Sequence, residues 1–149
     1  MSAEIRRARR EDVDAIVRML VDDQLGATRD SADDLEPYLK AFEGIEADPN
    51  QLLVVAEDAG EVIGTLQLTF IPGLSRRGAL RSLVEAVRVR ADQRGSGLGG
   101  ELMRWAIDES RRRECALVQL TSDNSRTDAH RFYERLGFAA SHTGFKLKL

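Results

Sequence analysis

The stretch RADQRGSGLGGELM, residues 90–103, places four glycines within the six positions 95–100 and then continues with a helical pattern. A helix N-terminus presents unpaired N–H groups and a partial positive charge, so it can bind an anion. Glycine lets the backbone approach that anion without an intervening Cβ. Each glycine inside a helix costs about 1 kcal/mol relative to alanine, and Gly99 and Gly100 fall in the first turn. The stretch therefore predicts a ligand-binding loop more strongly than a plain strand-to-helix turn.

Two phosphate-binding patterns fit these glycines. Gly95, Gly97 and Gly100 satisfy G-x-G-x-x-G, the fingerprint of nicotinamide and flavin dinucleotide sites. Arg94, Gly97 and Gly99 satisfy R-x-x-G-x-G, which indicates coenzyme A.

The dinucleotide pattern requires a glycine almost directly after a strand and a second mononucleotide-binding half. Residues 90–94 intervene here, and only one further strand–helix pair follows, although Asp123 lies near the expected place of a ribose-binding acid. A dinucleotide-dependent oxidoreductase is therefore the second hypothesis.

Length and composition indicate an ordinary globular chain. Its 149 residues, with 42% hydrophobic and 32% charged side chains, predict a single domain over residues 1–149. The N-terminus has no apolar signal region and no run is long enough for a membrane span, so we expect a cytoplasmic protein. His130, His142 and Cys115, the only cysteine, stand at no ligand-like spacing, so we expect no metal site and no intrachain disulfide. A net charge of −3 and the lack of basic, aromatic-rich stretches disfavour nucleic acid.

Hydrophobic periodicity predicts an α+β fold with the element order βααβββαβαβ. The helices are expected after Asp12, around Pro37, from Gly97 and before Gly137. The strands are expected at residues 3–8, 51–58, 61–71, 79–89, 115–122 and 144–149, with a turn at Ala59 and Gly60 that joins the second and third into a hairpin. The strand at 115–122 is nearly continuously apolar, as expected when both faces are covered.

Two motifs together carry a family resemblance. Residues 84–103, VEAVRVRADQRGSGLGGELM, and residues 128–138, DAHRFYERLGF, resemble the strand, pyrophosphate loop and A-x-x-x-Y-x-x-x-G-F helix of the GNAT superfamily of N-acetyltransferases. Ala91 stands close to a position where that family often has proline, and Arg126 stands where it often has asparagine.

The resemblance implies a mixed, mostly antiparallel central sheet flanked by helices. It also implies acetyl-CoA as co-substrate, without a metal, and direct transfer of the acetyl group to a primary amine of a small molecule or peptide. It assigns pantetheine contacts to the backbone of Val87 and Val89, places the oxyanion N–H near Val87, and sets Arg126 at a further pantetheine contact. The implied pyrophosphate-binding residues are Arg94, Gly95, Ser96, Gly97, Leu98, Gly99 and Gly100.

An alkylammonium has a pKa near 10.4, so the acceptor amine must lose a proton before it attacks. Glu85 is the candidate base because it is an acid inside an apolar strand, two residues before Val87 and hence on the same face. Burial there would raise its pKa; a solvated glutamate at a strand edge is the open alternative. Tyr133 is the candidate acid that protonates the leaving thiolate, and its spacing also places it on the apolar stripe of its helix.

A third hypothesis is a coenzyme A-binding module that senses acyl-CoA without turnover. The acceptor is not identified, but we expect its site near residues 24–35, the loop 70–77 and the strand of Glu85. Residues 30–61 contain Lys40 as their only base, which favours a cationic acceptor. The resemblance is also compatible with a homodimer.

Overall fold

The computed structural model describes residues 3–23 and 25–149, so Met1, Ser2 and Gln24 lie outside the described residues. The chain forms two compact units, residues 1–119 and residues 120–149, and each is described by itself.

The first unit contains a five-stranded sheet with the order β1-β2-β3-β4-β5. Neighbouring strands run antiparallel, except that β4 and β5 are parallel. This mixed, mostly antiparallel sheet confirms the predicted fold class. The strands are β1 (Glu4–Arg7), β2 (Gln51–Asp58), β3 (Glu61–Ile71), β4 (Arg81–Val89) and β5 (Leu117–Gln119).

Helices cover both faces of this sheet. In β3, Gly64 faces the side chains of Leu98 and Leu102, whereas its neighbour Thr65 faces a cavity beneath the first two helices. The helices of the unit are α1 (Val13–Val21), α2 (Glu36–Ala47), the single turn α3 (Ser75–Gly78) and α4 (Leu98–Arg112). None of the helices in the described part of the chain is long and apolar enough to cross a membrane.

Several local predictions are confirmed. Asp12 is the N-cap residue of α1, Pro37 lies in the first turn of α2, and Ala59 and Gly60 form the β2–β3 turn with φ of 51° and 81°. Two left-handed residues in a two-residue loop match the twist of a hairpin.

The strand β5 is shorter than predicted. The N–H of Cys115 donates to the Ser110 carbonyl at 2.9 Å, and Glu114 is left-handed with φ 62°. Cys115 therefore belongs to the turn that ends α4, and the strand begins only at Leu117. Its residues are half-buried or exposed, so the prediction of two covered faces is also wrong within the first unit.

The second unit contains one helix, α5 (Thr127–Arg135). Gly137 follows it with φ 103°, as predicted for the end of a helix. The strand predicted for residues 144–149 is not among the strands of the structure, so the described element order ends at α5. A strand requires a hydrogen-bonded neighbour, and residues 120–149 by themselves contain no other strand.

Candidate active site

The strand β4 carries a β-bulge in its second half. Thr65 pairs with Arg88 and Gln67 with Glu85, so one residue of β3 faces the two residues Ala86 and Val87 of β4. Ala86 is left-handed, with φ 53°. A bulge of this kind bends a strand and changes the direction of its side chains.

The bulge determines the face on which Glu85 lies. Glu85 and Arg88 share the face of their partners Gln67 and Thr65, because directly paired residues point to the same side of a sheet. Val87 precedes Arg88 and therefore lies on the opposite face. The prediction that Glu85 shares a face with Val87 is wrong, because it assumed uninterrupted alternation.

Glu85 is exposed, and so is Ala86 beside it. The predicted burial of Glu85 is therefore wrong, because the bulge interrupts the buried part of β4 directly after Val84. The solvated glutamate, which the sequence left open, is the arrangement observed.

The second half of β4 has an open edge. The strand β5 pairs with β4 only over Arg81–Leu83, so Val84–Val89 have no strand neighbour on that side within the described part of the first unit. The carbonyl of Val87 accepts a hydrogen bond from the Arg88 side chain at 2.9 Å, and that of Val89 accepts one from Arg94 at 3.3 Å. An extended ligand could pair with the strand along this edge.

The glycine loop joins β4 to α4. It contains a 3-10 turn at Ala91–Gln93 and then two left-handed glycines, Gly95 at φ 83° and Gly97 at φ 88°. A Cβ built on either glycine would have no heavy atom within 4 Å, apart from its chain neighbours. The backbone is therefore bordered by open space at both positions.

Gly97 is the N-cap residue of α4. The first hydrogen bond of that helix runs from the Glu101 N–H to the Gly97 carbonyl at 3.1 Å. By helix geometry, the N–H groups of Leu98, Gly99 and Gly100 have no acceptor within α4. The Ser96 hydroxyl donates to the Gln93 carbonyl and shapes the turn. N–H groups without a helical acceptor, next to a loop backbone that open space borders at Gly95 and Gly97, suit a phosphate group.

Two arginines, Arg90 and Arg94, hold the first half of the loop. Arg94 donates to the carbonyls of Val89 and Asp22, at 3.3 and 3.1 Å, and so ties the loop to the end of α1. Arg90 forms two hydrogen bonds with Asp92, and these hydrogen bonds hold the pKa of the Asp92 carboxyl below its usual range. The resemblance assigns Arg94 to the pyrophosphate, and the hydrogen bonds observed for its side chain are ones that hold the loop.

A cavity of about 200 Å³ lies between α1, α2 and the sheet. Its floor is buried and mainly apolar, and its rim is half-buried or exposed. The rim includes Ala86 of the β4 bulge and Gln67 on the neighbouring strand. The sequence did not predict this cavity, because its lining comes from five separate elements. The sequence predicts the acceptor site near residues 24–35 and 70–77, but no described residue of those segments lines the cavity. Gln24 lies outside the described residues. The lining residues are Val13, Ile16, Val17, Leu20, Tyr38, Ala41, Phe42, Ile45, Leu53, Thr65, Gln67 and Ala86.

The second unit holds the remaining two predicted site residues. The N–H of Arg126 donates to the Asp123 carbonyl at 3.0 Å, directly before α5. The half-buried ring of Tyr133 packs edge-on against Phe132 and Phe138, with centroid distances of 5.2 and 6.0 Å. The first unit thus contains Glu85, Val87, Val89 and residues 94–100, with Glu85 and Val87 on opposite faces of β4, and the second contains Arg126 and Tyr133.

Comparisons with known proteins identify relatives over nearly the whole chain. The acetyltransferase (GNAT) family model matches residues 13–138. The aminoalkylphosphonate N-acetyltransferase of Salmonella typhimurium is 31% identical over 145 residues, which are 95% of this chain and 88% of that protein. A crystal structure described as a transcriptional regulator from Bacillus halodurans is 43% identical, with a TM-score of 0.94 and 99% of each chain covered. Glucosamine-6-phosphate N-acetyltransferase from Arabidopsis thaliana has the same fold, at 18% identity, with a TM-score of 0.82 and 99% of each chain covered.

Proposed function

Because the chain belongs to the acetyltransferase (GNAT) family, we propose that it transfers an acetyl group from acetyl-CoA to a primary amine of a small molecule or peptide. The chain is an N-acetyltransferase by family; the co-substrate, acceptor and residue roles belong to the proposal. The observation that carries it is the loop at residues 94–100, where two left-handed glycines border open space before the N-terminus of α4.

Three sets of residues would hold acetyl-CoA. The N–H groups at the start of α4 would bind its pyrophosphate, and Arg94 would keep the loop in the shape that presents them. The open edge of β4 at Val87 and Val89 would pair with the pantetheine amides, and an N–H near Val87 would stabilise the developing oxyanion. Arg126 would supply a further pantetheine contact from the second unit. The binding residues are Val87, Val89, Arg94, Gly95, Ser96, Gly97, Leu98, Gly99, Gly100 and Arg126.

Acetyl transfer requires the acceptor nitrogen to lose two protons and the leaving thiolate to gain one. Glu85, directly or through a water, takes a proton from the acceptor ammonium, and the freed nitrogen lone pair attacks the thioester carbonyl carbon. The new C–N bond forms as the C–S bond breaks, and the departing thiolate takes a proton from the Tyr133 hydroxyl. The nitrogen then gives up its second proton, which passes through solvent to the tyrosinate and restores the hydroxyl, so that the products are a neutral amide and free CoA. The exposure of Glu85 supports proton exchange with solvent between turnovers.

The relative from Salmonella acts, by its name, on aminoalkylphosphonates, so these amines belong in the panel of acceptors to be tested. The test is release of free thiol from acetyl-CoA in the presence of a panel of primary amines, with thermal shifts for acetyl-CoA, free CoA and NAD. We expect stabilisation by both CoA compounds and thiol release with at least one amine. Stabilisation by NAD alone would support the dinucleotide alternative. Acetyl-CoA binding without thiol release for any amine would support an acyl-CoA-binding module and would contradict the proposal.

A further inference from the structure

We infer that the acceptor carries an apolar body, an aryl or short alkyl group, which occupies the cavity between α1, α2 and the sheet. This inference rests on the proposed acetyl transfer and specifies the class of amine.

The position of the cavity connects it with the proposed chemistry. Ala86 at its rim is the bulge residue that directly follows Glu85 in β4. Gln67, also in the lining, is the residue paired with Glu85 across the β3–β4 ladder, so the two side chains lie on the same face. A molecule seated in the cavity with its amine at this rim would present that amine beside Glu85.

The lining favours apolar groups. The floor includes the buried side chains of Val13, Val17 and Phe42, and no lining residue in the described part of the chain is charged. Each polar side chain in the lining donates a hydrogen bond within the protein: Thr65 to the Val54 carbonyl at 2.8 Å, Gln67 to Gln51 at 2.8 Å, and Tyr38 to Asp30 at 2.9 Å. An anionic group placed here would lose its hydration without meeting a charged residue in the described lining, and Arg88, a cation on this face of β4, is already paired with Asp23 at 3.6 Å.

The size of the cavity sets the size of the group. An apolar cavity of about 150 Å³ in a protein holds a benzene molecule, and this cavity has a volume of about 200 Å³. A phenyl ring or a branched alkyl chain of similar volume fits it, with a short linker to the amine. The corresponding acceptors are arylalkylamines and branched alkylamines.

The experiment compares kcat/KM for 2-phenylethylamine, ethylamine and 2-aminoethylphosphonate with saturating acetyl-CoA. We expect the phenyl compound to exceed both others by at least about tenfold, from burial of its ring. Ala41→Phe places a ring at the exposed rim of the cavity and should lower kcat/KM for 2-phenylethylamine at least about tenfold, with ethylamine little changed. Lys40→Phe is the matched control, because Lys40 is an exposed neighbour in the same helix that does not line the cavity.

A second variant covers the case in which Ala41→Phe does not fold. Ile45→Ala enlarges the cavity from its half-buried side and should raise kcat/KM for 3-phenylpropylamine relative to 2-phenylethylamine. The inference is overturned if 2-aminoethylphosphonate is the best of the three acceptors. It is also overturned if the variants at positions 41 and 45 leave the ratios of kcat/KM between acceptors at their wild-type values. In either case the proposed acetyl transfer itself would still stand. Absence of thiol release with every amine would contradict the proposed function instead.

Discussion

Gly97 is the residue on which the shape of the proposed pyrophosphate site depends most. Its φ of 88° lies in the left-handed region, and open space borders its α-carbon. Valine at this position would strain the backbone and would also fill the space. A loss of acetyl-CoA affinity in that variant could then come from either the strain or the blocked space. Asparagine separates these causes, because it tolerates left-handed φ far better than other side chains do.

Gly97→Asn should therefore keep the turn while placing a side chain where the pyrophosphate would lie. We expect the dissociation constant for acetyl-CoA, measured by titration calorimetry, to rise at least tenfold, about 1.4 kcal/mol. Gly60→Asn is the control, since Gly60 is also left-handed, at φ 81°, and also borders open space, but lies in the β2–β3 turn. Equal acetyl-CoA affinities in the two folded variants would rule out this loop as the binding site.

Arg94 offers a second test of the loop. Its guanidinium joins the loop to the Val89 and Asp22 carbonyls, so Arg94→Ala should leave the loop less well held. We expect KM for acetyl-CoA to rise by a larger factor than kcat falls, because ground-state and transition-state binding weaken together. Arg111→Ala, at an exposed position of α4, should change neither constant. A large fall in kcat with an unchanged KM would argue against a binding role.

The glycines were predictable, and the bulge was not. Gly60 and Gly97 occupy left-handed positions that glycine adopts at no steric cost, so sequence alone indicated turns there. Ala86 is also left-handed, but alanine has no preference for that conformation. Nothing in the sequence of β4 indicates that this strand contains an extra, bulged residue. The face and exposure of Glu85 depend on that bulge and could not be predicted without it.

Among the elements, β1, the start of α1 and β2 are joined by a half-buried ionic cluster. Arg6 donates to both carboxylate oxygens of Asp12, at 2.8 and 3.0 Å, and to Glu57 at 2.7 Å. Burial by itself raises the pKa of Asp12, but the hydrogen bonds from Arg6 and from the Arg9 N–H outweigh it and hold the pKa below its ordinary value. The cluster thus fixes the end of α1 that lines the cavity floor.

Asp12→Asn should lower the free energy of unfolding by about 2 kcal/mol at pH 7, because the charge-assisted hydrogen bonds weaken. The folded pKa of Asp12 is depressed, so its stabilisation is complete above the unfolded pKa of about 3.9 and is lost as pH falls through the lower, folded value. Urea unfolding from pH 7 down to pH 2 should show the difference from wild type shrinking only below about pH 4.

Asp14→Asn, which breaks the exposed pair with Arg18 in the same helix, should cost less than about 1 kcal/mol. A difference between wild type and Asp12→Asn that persists unchanged to pH 2 would contradict this account of the cluster.

Strand ends were the least predictable part of the fold. The run CALVQLTS is apolar enough to be a long strand, but Cys115 belongs to the turn that ends α4. The Ala116 N–H donates a hydrogen bond to the Leu80 carbonyl, and the pairing of β5 with β4 begins only at Leu117. The alternation in GFKLKL indicates a strand equally well, yet a strand forms only with a partner, and a hydrophobic pattern does not specify one. The helices were more predictable, because their periodicity and caps are local.

For the molecule as a whole, the family match extends over residues 13–138 and so covers most of the first unit and part of the second. The first unit contains the loop, the open edge of β4, the cavity and Glu85. The second contains Arg126 and Tyr133. The proposed contacts to acetyl-CoA thus lie mainly in the first unit, which also holds the proposed base, Glu85, whereas the proposed acid, Tyr133, belongs to the second.

The most direct test of this account is steady-state acetyl transfer to the best acceptor by Glu85→Gln and Tyr133→Phe, with acetyl-CoA affinity measured in parallel. General acids and bases contribute about a hundred- to ten-thousand-fold, so we expect each variant to lose at least about tenfold in kcat while its affinity for acetyl-CoA changes little. Glu85→Gln should also lose the acidic limb of the pH–rate profile, and Tyr133→Phe should be less impaired with an acyl donor whose thiol leaves more easily. The account is contradicted if both variants fold, bind acetyl-CoA and acetylate the acceptor at the wild-type rate.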